Sequence, residues 1–345
     1  MRPRGGKEPA IEVLLVNQRE VPRLLPMKEC MEVMEEALTA LTRAEAILPL
    51  RSILWLPDRV GALGLMPAAL LPSKVLGLKA VSFFWGNEGT ELDTHQGAVL
   101  LFEAERGRLL AVVDATSITA IRTGAVSGVA TRLLARKDAG DLALIGSGVQ
   151  ARTHLEAMLL ARRIRRVRVA SKQLESARSF AARESERHGI EIEPMASVRD
   201  AVAGADIICT VTSSREPVLL GDWISPGAHI NVVGSIGPSA REVDTHAMVR
   251  SRFYVDRRES TLNEAGDFLI PKSEGAIGDD HIRGEIGEVL LGRAPGRQSP
   301  AEITLFRGLG LAVEDVASAR HIYEKARASG AGRLLEFGGS RHAAD

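Results

Sequence analysis

Leu142-Ala143-Leu144-Ile145-Gly146-Ser147-Gly148-Val149-Gln150-Ala151 decides the fold, because an apolar run passes directly into Gly-x-Gly-x-x-Ala and then into an amphipathic stretch ending near Arg162. Strand, glycine turn and helix in that order form the phosphate end of a dinucleotide site. Gly146 permits the tight turn, Gly148 lets the backbone approach a pyrophosphate, and Ala151 lets helix and strand pack closely. Val149 and Gln150 open the helix, whose first amides face the phosphate charge. Alone the glycine pattern is weak, since it also occurs in structural turns. Its context strengthens it: a second strand follows at Val167-Arg168-Val169-Ala170-Ser171, then another helical stretch from Leu174 to about His188.

The end of that second strand bears on the choice of nucleotide. An NAD site places an acid about 20 residues after the glycines to bind the ribose 2′-hydroxyl, whereas an NADP site carries small polar and basic groups there. No Asp or Glu occurs from Arg163 to Leu174, and Ser171 and Lys172 stand where the acid would be. Arg165, Arg166 and Arg168 add positive charge nearby, although a solvated surface run explains Arg165 and Arg166 equally well. The expected cofactor is NADP (NADPH), with NAD remaining open.

At 345 residues the chain is long enough for two domains. Lys plus Arg and Asp plus Glu each total 44, so there is no net charge to favour nucleic acid or an anionic membrane, and a small-molecule partner is expected. Cys30 and Cys209 lie far apart without metal-ligand spacing, so no metal is expected, and buried thiols in a reducing cytoplasm fit better than a disulfide scaffold. The basic start, Met1 to Ala10, leads only to the short run Val13-Leu14-Leu15-Val16, too short for a signal peptide. The most apolar stretch, Gly61 to Leu71, is interrupted by Pro67 and closed by Pro72, so no membrane span is expected.

There is no repeat or low-complexity tract, and the tails before Ile11 and after Gly338 are expected to be mobile. A helix is expected from Met27 to Arg43, with Met31, Met34, Ala37, Leu38 and Leu41 on one face. Short strands follow at Ser52 to Leu56, Gly64 to Met66, Leu78 to Phe84, Ala98 to Phe102 and Leu109 to Val113, spaced for an antiparallel or mixed sheet. A long helix begins near Asp114, with Asp114 or Ser117 as its cap, and extends to Arg136. Beyond Asp141, strands near 142, 167, 191, 206, 229 and 252 alternate with helices. The fold class is α/β: a Rossmann doubly wound parallel sheet at 131–314, plus a strand-rich α+β substrate and dimerisation domain at 1–130 and 315–345. The last helix, Val313 to Ala328, is expected to return to the first domain.

Several segments, in this order, resemble the ornithine cyclodeaminase and mu-crystallin family: Gly77-Leu78-Lys79-Ala80-Val81, Thr94-His95-Gln96-Gly97, Ala120-Ile121-Arg122-Thr123-Gly124, the Gly146 turn, Pro226-Gly227-Ala228-His229-Ile230-Asn231-Val232-Val233-Gly234 and Leu309-Gly310-Leu311-Ala312-Val313-Glu314-Asp315. The resemblance covers nearly the whole chain. It implies that Arg51, Lys79 and Arg122 bind a substrate carboxylate. The residues themselves agree with this: Arg122 is the one charged side chain between Ala115 and Thr131, and Lys79 interrupts an apolar strand, so each needs an anionic partner. A protein carboxylate would serve as well. The resemblance further implies that Thr94 lies near the nicotinamide and that Thr210, Ile230, Asn231, Val232, Val233 and Leu309 contact the cofactor. His95, beside Thr94, is the candidate catalytic proton or hydrogen-bond donor.

Two positions depart from the family, and the first bears on the proton chemistry. Cyclodeaminases and the related alanine dehydrogenases carry an Asp two residues after Gly234, and this chain has Ile236. Isoleucine transfers no proton, whereas cyclodeamination needs repeated proton transfers at amine and water. Family members of the mu-crystallin type, lacking that Asp, look like imine reductases, which need only hydride delivery to an electrophilic C=N carbon. Gly308 also stands where a serine is usual beside the nicotinamide. The expectation is therefore an NAD(P)H-dependent reductase of a small α-imino acid, or of a keto acid plus amine, acting as a homodimer in the cytoplasm. An ornithine cyclodeaminase or alanine-type dehydrogenase, and a non-catalytic NADP-dependent ligand carrier, are the alternatives.

Overall fold

In a computed structural model the described residues are 11–235 and 237–337; both tails and Ile236 lie outside them. The chain forms two compact units. The first gathers residues up to Pro26, Ala44–Thr119 and the chain from Ala312 onward, and the second gathers Met27–Arg43 and Ala120–Leu311.

The strands run in chain order β1 (Glu12–Val16), β2 (Ala46–Ile47), β3 (Ser52–Trp55), β4 (Ala62–Leu70), β5 (Val75–Phe83), β6 (His95–Glu103) and β7 (Leu109–Asp114). There follow β8 (Asp141–Ile145), β9 (Arg166–Ala170), β10 (Ile192–Met195), β11 (Ile207–Thr210) and β12 (His229–Val232). The last four are β13 (Ser251–Val255), β14 (Ile282–Glu285), β15 (Ile303–Arg307) and β16 (Arg333–Glu336).

In the first unit the sheet order is β16-β1-β7-β6-β5-β4-β2, with β3 added beside β4. Only β1 and β7 pair in parallel, so the sheet is mixed. Burial alternates along β4 and β5, as expected for a sheet packed on one side. That side carries the helix Ala312–Ser329. Gly77 makes the contact close, for a Cβ there would come within 2.8 Å of the Val316 side chain. Lys79, two residues along β5, shares this buried face.

In the second unit all strands are parallel, in the order β10-β9-β8-β11-β12-β15-β13-β14. Strands β8 and β11 are largely apolar runs buried on both faces, which is why they read clearly in the sequence; β12 is equally buried but carries His229 and Asn231. The chain winds outward from β8 to β10 and then crosses back to β11, so the order reverses between β8 and β11. Ligands of such sheets bind at that point, beyond the carboxyl ends of the strands.

Three features differ from the sequence expectation. β14 and β15 are additional, and β15 inserts between β12 and β13. Its Thr304 and Arg307 break the apolar pattern, yet both are fully buried. β16 adds an edge strand whose residues are mostly exposed, leaving little periodicity to detect. The helix Met27–Thr42, expected with the strand-rich domain, groups with the second unit, where Gly287 lies directly against Leu38 and Thr42. The long helix Ala115–Leu134 begins in the first unit and continues into the second, and Asp114 caps it by accepting the Ser117 amide at 2.7 Å.

Candidate active site

The turn after β8 has the bare backbone its sequence demands. Gly146 has φ +118°, and a Cβ there would lie 2.7 Å from the Val211 carbonyl oxygen, so only glycine fits. At Gly148 a Cβ would meet nothing within 4 Å, leaving open space beside the backbone. Ala151 is fully buried and Val149 is exposed. Gln150 keeps a buried Oε1 with no partner among the described residues. A closed turn, open space and the start of a 13-residue helix fit a dinucleotide pyrophosphate.

Ser171 follows β9 and accepts a hydrogen bond from Ser147 of the glycine turn at 3.0 Å. Lys172 beside it is exposed. The three nearby arginines are occupied elsewhere. Arg166 makes a bidentate contact with Glu193 at 2.6 and 2.7 Å, and buried Arg168 reaches Asp141 at 2.6 Å and the Ala203 carbonyl at 2.7 Å. Arg165 donates to the Asp138 carbonyl at 3.1 Å. Arg165 and Arg166 lie at the amino end of β9, away from Ser171, so they do not supply charge at the strand's carboxyl end.

Thr210, Ile230, Asn231 and Val232 are fully buried, and Val233 nearly so. Thr210 donates its hydroxyl to Glu242 at 3.0 Å, and the Asn231 amide donates to Thr131 at 3.0 Å. Glu242 is a residue that sequence reasoning missed. It is fully buried and also accepts the Thr212 amide and hydroxyl, each at 2.7 Å, and the Gly234 amide at 2.7 Å. Burial pushes its pKa up, the Thr212 hydrogen bonds oppose this, and the neighbouring Asp267 charge adds to it. Asp267 in turn accepts the Glu242 amide at 2.8 Å and pairs with buried Arg307 at 3.0 Å.

Arg122 is 5 % exposed and packs against Gly310, which has φ +76° and could not carry a Cβ without striking the guanidinium. The loop that presents Gly310 is held by Asp256, whose Oδ2 accepts the Leu309 amide at 2.6 Å and the Gly310 amide at 2.8 Å. Leu309 itself is buried.

In the first unit Lys79 is 3 % exposed and donates to Thr119 Oγ1 at 2.6 Å and to Asp315 Oδ1 at 3.1 Å. Asp315 is the second residue the sequence reading did not single out for a role. His95 Nδ1 lies 2.9 Å from Thr94 Oγ1, and its ring meets Phe83 edge-on at 4.8 Å. His95 keeps solvent access, yet the surrounding protein lowers its pKa by desolvation, the Lys79 ammonium lowers it further, and Asp93 opposes both. The imidazole is therefore neutral at pH 7. Arg51 is half-buried just before β3. Among the described residues no cluster of His, Cys, Asp and Glu could hold a metal ion, and no helix is long and apolar enough to cross a membrane.

A doubly wound sheet with a bare glycine turn at its switch point defines a dinucleotide-binding class. Within that class, the chain belongs to the ornithine cyclodeaminase/mu-crystallin family, whose model matches residues 12–330. It is 40% identical over 276 residues to ketimine reductase mu-crystallin of Mus musculus, covering 80% of this chain and 84% of that protein. The structure of Thermococcus litoralis Delta(1)-pyrroline-2-carboxylate reductase in complex with NADH and L-proline superposes with a TM-score of 0.90 at 41% identity, covering 93% of this chain and 99% of the other. An archaeal alanine dehydrogenase dimer with bound NAD gives 0.89 at 34% identity, covering 94% and 99%.

The open space at Gly148 separates folding from binding. Gly148→Ala should unfold within about 0.5 kcal/mol of the parent, because the new methyl meets no protein atom. Its affinity for the dinucleotide should fall at least about tenfold, because the methyl occupies the approach of the pyrophosphate. Isothermal titration beside urea unfolding checks both; unchanged affinity would remove Gly148 from the site.

Proposed function

We propose that this protein reduces a small α-imino acid, cyclic or formed from a keto acid plus amine, with the substrate carboxylate held by Arg51, Lys79 and Arg122. The chain is an NAD(P)H-dependent oxidoreductase of the imine-reductase type, acting on C–N bonds. The observation that carries the substrate reading is the burial of two cations, Lys79 at 3 % and Arg122 at 5 % exposure. A guanidinium against the bare backbone of Gly310 can grip a planar carboxylate in bidentate fashion, and an ammonium fixed by Thr119 and Asp315 offers a preset donor direction. Held this way, the C=N carbon would be oriented for a near-attack geometry. The bound cofactor supplies the hydride. The chain's part is orientation, charge and exclusion of water.

Ile236 supports reduction over cyclodeamination. An imine can arrive protonated from water, whereas deaminating ornithine asks a protein group to move protons more than once at one carbon. Neutral His95, beside Thr94, is proposed as a hydrogen-bond donor to the substrate.

NADP is proposed over NAD. Ser171 and Lys172, with no acid between Arg163 and Leu174, support a 2′-phosphate, while the solved relatives above carry NADH and NAD. A homodimer is proposed through the uncovered face of the first sheet, where Leu63 is 37% and Leu76 39% exposed, with Leu54 on β3 at 58%. Trp55 stacks on Trp85 at 6.0 Å beside these. Exposed apolar side chains clustered on one face support an interaction site there. A cytoplasmic location is proposed on the two buried thiols, Cys30 and Cys209.

Three measurements follow. Purified protein with NADPH should reduce Δ1-pyrroline-2-carboxylate, seen as loss of nicotinamide absorbance, and release no ammonia from ornithine; Arg122→Met should cut kcat/KM about a hundredfold with NADPH binding intact. A collapse of stability with unchanged KM would instead make Arg122 a structural ion-pair partner. Ser171→Asp should shift preference from NADPH toward NADH, because a carboxylate repels the 2′-phosphate and accepts from a 2′-hydroxyl; tighter NADH binding by the parent would overturn the NADP reading. Sedimentation equilibrium should give a dimer for the parent and a monomer for Leu76→Asp, and a monomeric parent would rule the dimer out.

A further inference from the structure

We propose that Glu242 is a positioning residue for the dinucleotide, clamping the segment on which the glycine turn rests. The Gly146 turn is not self-supporting. Its Cα faces the Val211 carbonyl so closely that a Cβ would come within 2.7 Å, and the Val211 amide donates to the Ile145 carbonyl at 2.9 Å. The position of Val211 therefore sets that of the turn. Its two neighbours are the residues that Glu242 holds: Thr210 through its hydroxyl at 3.0 Å, and Thr212 through amide and hydroxyl at 2.7 Å each.

The same carboxylate reaches the next loop. It accepts the Gly234 amide at 2.7 Å, and Gly234 lies so close to the Thr212 backbone that no side chain would fit. The loops after β11 and β12 thus meet at Thr212 and Gly234 with one buried carboxylate between them. Each of its oxygens accepts two hydrogen bonds, one of them from a backbone amide: Thr212 on Oε1 and Gly234 on Oε2. Glu242 is itself fixed from behind, its own amide donating to Asp267, which pairs with Arg307.

This arrangement makes Glu242→Gln a sharp probe. Whichever way the glutamine amide turns, its NH2 faces a backbone N–H that also donates, so one loop must move. Removing the charge leaves the volume unchanged.

The inference rests on reading the Gly146 turn as the pyrophosphate site, so the parent protein is titrated first with NADPH and NADH by fluorescence at a temperature where every variant is folded. Failure of the parent to bind either would overturn that reading and this inference with it. If the parent binds, Glu242→Gln should weaken the tighter cofactor at least tenfold, while KM for the imine at saturating cofactor changes less than twofold. Phe253→Leu, which loosens the core of the same unit where Phe253 stacks on Phe268 at 5.8 Å, should lower Tm but leave cofactor Kd within twofold. Thr212→Val, which removes one of the four donors, should weaken cofactor about threefold and serves if Glu242→Gln does not fold. Parent-like Kd in the Glu242 variant, or in Thr212→Val where that is the folded one, would overturn the proposal. Equal weakening by Phe253→Leu would do the same, since the loss would then be general loosening.

Discussion

Gly146 meets the Val211 carbonyl with no side chain between them, and the carboxyl edge of the second unit is arranged around that contact. A parallel sheet buried on both faces satisfies its strands by their ladder, but the loops leaving their carboxyl ends must find other partners for their amides. The chain meets this requirement with buried acids. Glu242 serves the loops after β11 and β12, Asp267 serves Glu242, and Asp256 serves the loop of Leu309 and Gly310. Asp267 is in turn paired with Arg307, at the end of β15, which also donates to the Val232 carbonyl at 3.0 Å. Removing one member of such a set leaves its partner buried and unsatisfied, so the loops are held in one shape.

How legible this was in the sequence depended on whether a signal is local. β8 and β11 announce themselves as largely apolar runs, and the glycines between β8 and its helix have a fixed local spacing. Lys79 is legible as a charge in an apolar strand, and its burial follows from the period of β5. Its partner Asp315 is not, since it is separated by 236 residues and meets Lys79 only because the helix Ala312–Ser329 packs on that face. β15 escapes for a similar reason: Arg307 reads as a solvent-facing charge until Asp267 is placed beside it.

The arginines before and within β9 illustrate the opposite error. Charges close in sequence to Ser171 need not be close to it in space, because a strand of five residues carries its two ends about 15 Å apart. Arg165 and Arg166 are at the amino end, and Arg168 is drawn inward to Asp141. The positive charge left at the carboxyl end is Lys172, so cofactor preference rests on fewer groups than composition alone implies.

Proton supply follows from the same electrostatics. A group that titrates near neutrality and can be recharged from water is the usual intermediary for amine oxidation. Desolvation and, after it, the nearby Lys79 ammonium shift His95 toward its neutral form, which makes it a weaker proton store. Position 236 holds an isoleucine and offers no alternative. The buried Lys79 ammonium thus adds to desolvation in favouring the neutral form of the His95 imidazole. Of the reactions open to a nicotinamide enzyme of this family, reduction of an imine that arrives already protonated asks least of such a site.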